Sequence, residues 1–140
     1  MRDHDRAEIC CQFEHWDSRV FAIAALQSEV PGMSWAVWLD GQPAAAYGFS
    51  YVTPFDRGRW QAWAFGTKDF KRCLPIMTRH LNEIRPIVEK DCRRLQAIAH
   101  VDHDVAHGWI EGFGAKREGE VRGYGRNGED FVIYGWVRED

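Results

Sequence analysis

The sequence predicts a single α/β domain of the α+β kind, in which a central twisted mixed sheet is flanked by helices on both faces. Three observations lead there. A chain of 140 residues suffices for one buried core but not for two. Its apolar spacing switches between helical and alternating, giving a helical N-terminus, three strands, a helix, a strand, a helix and two strands. The helical stretch Lys71 to Lys90 sits between two strand patterns and requires a crossover, so the strands starting at Arg59 and Arg94 should be parallel neighbours.

Each element has a local reason. Arg6 to Val30 carries Ile9, Phe13, Trp16, Val20, Ile23 and Leu26 at spacings of three or four, a helical stripe with a break near Asp17 and Ser18 that Pro31-Gly32 ends. Ser34 to Leu39 alternates and runs into Asp40-Gly41, a two-residue hairpin signal, with Pro43 to Val52 as the returning strand. Thr53 to Gly58 reads as a loop from its Pro, Asp and Gly, and Arg59 to Phe65 as the third strand. Past Gly66, Thr67 or Asp69 can cap a turn. The helix that follows presents Leu74, Met77, Leu81, Ile84 and Val88 on one face. It should become regular near Cys73, because Pro75 fits only a first turn, and should kink or break at Pro86. Arg93 to His100 is the next strand, Val101 to Ala115 holds a short helix, and Asp130 to Val137 is the last strand, preceded by a hairpin turn at Arg126-Asn127-Gly128-Glu129.

Composition excludes several function classes. With 45% hydrophobic and 28% charged residues the chain has enough apolar material to fold. A net charge of −3 argues against a nucleic-acid-binding domain built on phosphate neutralisation. No apolar run approaches the ~20 residues that a bilayer requires. The start Met-Arg-Asp-His-Asp is neither a secretory nor a transit peptide, so the expected location is the cytoplasm of the producing cell, or a particle packaged from it. Cys10, Cys11, Cys73 and Cys92 lack C-x-x-C spacing and read as reduced, mostly buried thiols. Trp60 and Trp63 differ by an odd number and face opposite sides of their strand, which leaves a ring for a protein contact surface.

Within Val101 to Ala115, Ala106 and Gly114 stand eight apart. Together with the element order and the Asp-Gly hairpin, this resembles the GNAT superfamily of N-acyltransferases. In that family the helix carries Asn-x-x-Ala, a Tyr four residues further on and a Gly-Phe pair at its end. The Asn, Tyr and Phe positions here hold His103, Ile110 and Ala115. The strings Ser-Trp-Ala-Val-Trp-Leu-Asp-Gly and Gln-Ala-Trp-Ala-Phe-Gly-Thr are similar to short GNAT-like proteins of tailed bacteriophages and prophages, some related to a small internal virion protein of podophages.

The resemblance implies acetyl-CoA as cofactor, its pantetheine arm lying like a strand between parallel strands that diverge near Trp63 and Ile98. It implies a pyrophosphate held by amides and the helix dipole in a Gln/Arg-x-x-Gly-x-Gly/Ala loop. Carried onto this chain, the cofactor contacts are Ala64, Phe65, Gly66, Lys68, Lys71, Arg72 and His103. Only Gly66 of the loop's glycine pattern is present, and Asp69 would compete with a phosphate for the same amides. Trp60 to Phe65 offers no carboxylate base, and Ile110 cannot donate a proton. The groups remaining for acid–base work are His100, His103, Asp56 and Tyr51, none placed by a motif. The expectation is a virion-associated or otherwise protein-binding accessory with a degenerate acyl-transfer site. The alternative is an active acetyl-CoA-dependent N-acetyltransferase acting on a protein or small-molecule amine. A virion or host protein is the expected partner, and homo-oligomerisation is left open.

Two other constellations are weaker. His103 and His107 have the i, i+4 spacing of paired metal ligands, but Asp104 stands where H-E-x-x-H would have Glu and no third ligand is marked, so they read as helix-start residues with no metal. Gly123, Gly125 and Gly128 precede a strand rather than a helix, and so make a hairpin rather than a nucleotide fingerprint.

Overall fold

The computed structural model describes residue 23 and residues 27–139. Its elements are β1 (Glu29–Leu39), β2 (Gln42–Thr53), β3 (Asp56–Gly66), α1 (Phe70–Asp91), β4 (Arg94–His100), α2 (Asp104–Gly112), β5 (Lys116–Val121) and β6 (Phe131–Val137). The six strands form one sheet in the order β1-β2-β3-β4-β6-β5. All neighbours are antiparallel except β3 and β4, which the α1 crossover makes parallel as the sequence predicts.

Several boundaries differ from the sequence expectation, each for a local reason. β1 starts at Glu29, so the expected helix does not reach Val30; Pro31-Gly32 sits in a register irregularity of an edge strand, where a missing donor is tolerated. The earlier part of that stripe, residues 6–22 and 24–26, lies outside the described residues. The expected loop at residues 53–58 contracts to a turn at Pro54-Phe55, with Thr53 opposite Asp56. Asp56 is tied by the Gly58 N–H at 3.0 Å and by Arg93 at 2.6 Å, so its polarity marks an anchored strand end. α1 begins at Phe70, before Cys73, and is continuous through Pro75 and Pro86. Burial of Phe70, Cys73, Met77 and Val88 along 22 residues outweighs the hydrogen bonds that the prolines remove.

The two turns use glycine differently. Asp40 (φ 53°) and Gly41 (φ 76°) are both left-handed, the primed turn that matches strand twist. Between β5 and β6 the connection spans residues 122–130. Its reversal is a turn closed by the Gly128 N–H on the Gly125 carbonyl, with Gly128 at φ 89° and the Gly125 N–H donating to the Glu129 carbonyl. The Asn-Gly reversal is thus present, but as a three-residue loop nested in a longer connection.

Both described helices lie on one face of the sheet; the helix expected for the other falls outside the described residues. Tyr47 and Phe49 of β2, Trp60 of β3 and Val37 of β1 are buried against Met77, Val88 and Cys92 of α1 and its end. Burial pushes the Cys92 thiol up to about 11. α2 joins this layer through Trp109, whose ring meets Phe70 edge-on at 6.3 Å and whose Nε1–H donates to Thr78 at 2.9 Å. Trp63 takes the opposite face and stacks on Phe65 at 5.4 Å.

Candidate functional site: the gap between the parallel strands

The parallel ladder is short. Arg59, Trp60 and Gln61 pair with Arg94, Leu95 and Gln96, and there the register stops. The Gln96 carboxamide reaches that of Gln61 at 3.5 Å across the vertex. Further on, β3 pairs with β2 alone and β4 with β6 alone. A cavity of about 480 Å³ occupies the opening, within the range of small-molecule sites.

The sequence explains why space remains there. Residues that face the helices at the vertex are large, Trp60 opposite Leu95, whereas the next positions on the same face are Ala62 and Ala64 on β3 and Ala97 and Ala99 on β4. All four alanines line the cavity. Its outer walls are bulky: Tyr47 and Phe49 on one side, Tyr134 and Trp136 on the other, with Trp109 and Ile110 of α2 above. The charged lining residues Arg85 and Glu89 face each other at 3.4 Å, and Arg85 also donates to the Phe113 carbonyl.

The link from β3 to α1 is only residues 67–69, shorter than the six-residue phosphate loop of the resemblance. Three amides at this link and the helix start have partners within the protein. Thr67 N–H donates to the Ala44 carbonyl at 2.9 Å, Asp69 N–H to the Thr67 hydroxyl at 3.2 Å, and Phe70 N–H to the Thr67 carbonyl at 3.0 Å. Amides held this way cannot also form an anion nest. Gly66 is packed tight: a Cβ there would come within 2.7 Å of the Ala44 carbonyl and the Phe70 ring.

The structure distributes the expected site residues unevenly. Ala64, Phe65, His103 and Tyr51 line the cavity. His103 is 7% exposed at the N-terminus of α2, and Tyr51 meets Trp60 edge-on. Gly66, Lys68, Lys71 and Arg72 lie outside the lining, and Arg72 stands 3.7 Å from both Asp40 and Asp69. Asp56 is at the start of β3, away from the gap, where hydrogen bonding from Arg93 holds its carboxyl below the usual carboxylate range. His100 is outside the lining as well; its Nδ1 accepts the Asp102 N–H at 3.1 Å and its ring packs on Phe131. Among the described residues no group of three His, Cys, Asp or Glu side chains could hold a metal ion, and His107 is hydrogen-bonded to Tyr134 and to backbone carbonyls.

Two lining phenols escaped the sequence reading. The Tyr47 hydroxyl lies 2.6 Å from His80 Nδ1, and the Tyr134 hydroxyl 2.8 Å from His107 Nδ1. Desolvation raises both phenols above their ordinary value, and the bond to Glu111 adds to the effect at Tyr134. Strand parity could have placed each tyrosine on the helix face. The histidine partners, 33 and 27 residues away, carry no local signal.

No family model and no curated protein sequence matches the chain. Solved structures do. A GNAT-family acetyltransferase from Bacillus anthracis aligns with a TM-score of 0.66 at 16% identity, over 99% of this chain and 84% of its own. Ard1 from Thermoplasma volcanium gives 0.70 at 10% identity over 96% and 89%, and ribosomal-protein-alanine N-acetyltransferase from Brucella melitensis gives 0.65 at 12% over 85% and 75%. The chain has the GNAT acetyltransferase fold. At these identities the likeness establishes the architecture, and its chemistry must be argued from the residues. Among the described residues no helix is long and apolar enough to cross a membrane.

Proposed function

We propose that this protein is a GNAT-fold accessory with a degenerate acyl-transfer site, and that it works by binding a protein partner rather than by transferring an acetyl group. The observation that carries this reading is the short link at residues 67–69, where the Ala44 carbonyl of β2 takes the Thr67 amide and Thr67 itself takes those of Asp69 and Phe70. A diphosphate then finds three of the amides at this helix start already taken, and Arg72 already faces two carboxylates. Ile110 at the position of the family's Tyr and the lack of a carboxylate among the β3 residues that line the cavity point the same way. The similarity of the strand strings to phage-borne GNAT-like proteins supports a virion component as the partner.

A second reading, an active N-acetyltransferase, is favoured by one observation. Tyr47 and Tyr134 line the cavity on opposite walls, each with a histidine, His80 or His107, on its hydroxyl, and the two phenols could serve as a base and an acid. Thermal unfolding with acetyl-CoA separates the two. A cofactor at one hundred times its dissociation constant would stabilise the chain by about 2.7 kcal/mol. The accessory reading expects an unchanged Tm at millimolar acetyl-CoA, and a clear rise would replace it with the enzyme. Co-purification with assembled particles checks the virion component, and loss of the protein from washed particles would remove it.

A further inference from the structure

The Tyr134–His107–Glu111 cluster contains a proton conflict. His107 Nε2 lies 3.1 Å from the His100 carbonyl and 3.0 Å from the Val101 carbonyl, which can only accept, so Nε2 carries a hydrogen. Nδ1 faces the Tyr134 hydroxyl at 2.8 Å, and the same hydroxyl faces Glu111 Oε1 at 3.1 Å. A phenol has one proton to give. With neutral His107 the phenol donates to Nδ1, and the Glu111 carboxylate takes no proton from it. With cationic His107, Nδ1–H donates to the phenol oxygen, and the phenol turns its proton to Glu111.

These two states bind α2 differently. In the first, the phenol's proton binds α2 through His107 and leaves Glu111 out. In the second, a chain ending on a carboxylate ties His107 and Glu111 together, one turn apart, so the last turn of α2 is fastened as well. That turn carries Ile110 and leads to Phe113, both of which line the cavity. We propose that protonation of His107 tightens the C-terminal turn of α2 onto β6 through Tyr134, making this wall of the cavity a pH-responsive clasp.

The groups around His107 set its surroundings. From β6 comes Tyr134, and from β5 Arg117, which acts on Tyr134 and pairs with Glu120 at 2.9 Å. The end of β4 and the connection after it contribute His100 and Asp102, and α2 itself contributes His103, Asp104 and Glu111. Glu111 is the carboxylate with a hydrogen-bonded path to the ring.

Amide hydrogen exchange on the full chain tests the clasp, with rates corrected for intrinsic pH dependence. Between about pH 8 and about pH 5.5, protection at residues 110–114 should rise by about threefold or more in the wild type. Tyr134→Phe should abolish the rise. Because Tyr134 is buried, Glu111→Ala serves as the second variant; its side chain is exposed, it removes the acceptor, and it should also abolish the rise while leaving protection in β4 intact. Equal wild-type protection at both pH values, or the same rise in Glu111→Ala, would overturn the proposal. Side-chain nitrogen NMR gives an independent check: neutral His107 must carry its proton on Nε2, and a proton on Nδ1 would overturn the proposal too.

Discussion

The two ends of β3 are built from the same extended backbone and behave oppositely. At its start, Trp60 is 3% exposed, packs on Phe49 at 5.8 Å and donates its indole N–H to the Arg57 carbonyl at 2.7 Å. Arg93 adds two ties there, its N–H to the Gly58 carbonyl at 2.7 Å and its guanidinium to Asp56. At its far end Ala62 and Ala64 leave the inter-layer space open, and the strand parts from β4. Side-chain volume and polar ties at the vertex decide where the sheet stays zipped. The backbone alone does not.

This contrast can be broken from the closed end. Trp60→Ala removes the largest filler at the vertex and should destabilise the fold by about 3–5 kcal/mol in denaturant unfolding. A loss below about 1 kcal/mol would mean that the vertex does not depend on that ring. On the open end, Gly48 lies under Trp63, and a Cβ there would come within 2.4 Å of the Met33 carbonyl and 2.8 Å of the Trp63 ring. Gly48→Ala should therefore cost about 1–3 kcal/mol through overpacking, and a neutral result would show that β1 can retreat.

Filling the gap sharpens the comparison. Ala97→Leu places apolar volume in the cavity and is expected to raise stability by about 1 kcal/mol while blocking any ligand there. Destabilisation would show that the cavity has less room for the added atoms than its volume indicates. The smallest effect concerns the Asp56–Arg93 tie. Asp56 is lowered in the folded state, so its contribution is present above the unfolded value of 3.8 and is lost as pH falls through the lower folded value. Arg93→Gln should flatten that acid limb of the stability profile, and an unchanged limb would assign it to other carboxylates.

Much of the architecture could be read in the chain because its signals are local. Asp40-Gly41 needs left-handed backbone at two consecutive residues, and the alternation at 34–39 and 43–52 gives the strands flanking it. The crossover rule placed β3 beside β4. The misread segments are those where a distant contact outweighs local propensity: the 53–58 loop is pulled into strand by Arg93, and α1 runs through Pro86 because residues on both sides are packed. Of the candidate site residues, Tyr51 and His103 reach the cavity, whereas Asp56 and His100 are drawn off to Arg93 and to Asp102 and Phe131.

Side-chain size and period, both written in the linear order of residues, determined the strands, the crossover and the four alanines that face one another. Which phenol meets which imidazole, and that the Ala44 carbonyl of β2 takes the Thr67 amide, was decided only by tertiary structure. Hydrogen bonds depend on distance and direction, and neither exists until residues some thirty positions apart have been brought together.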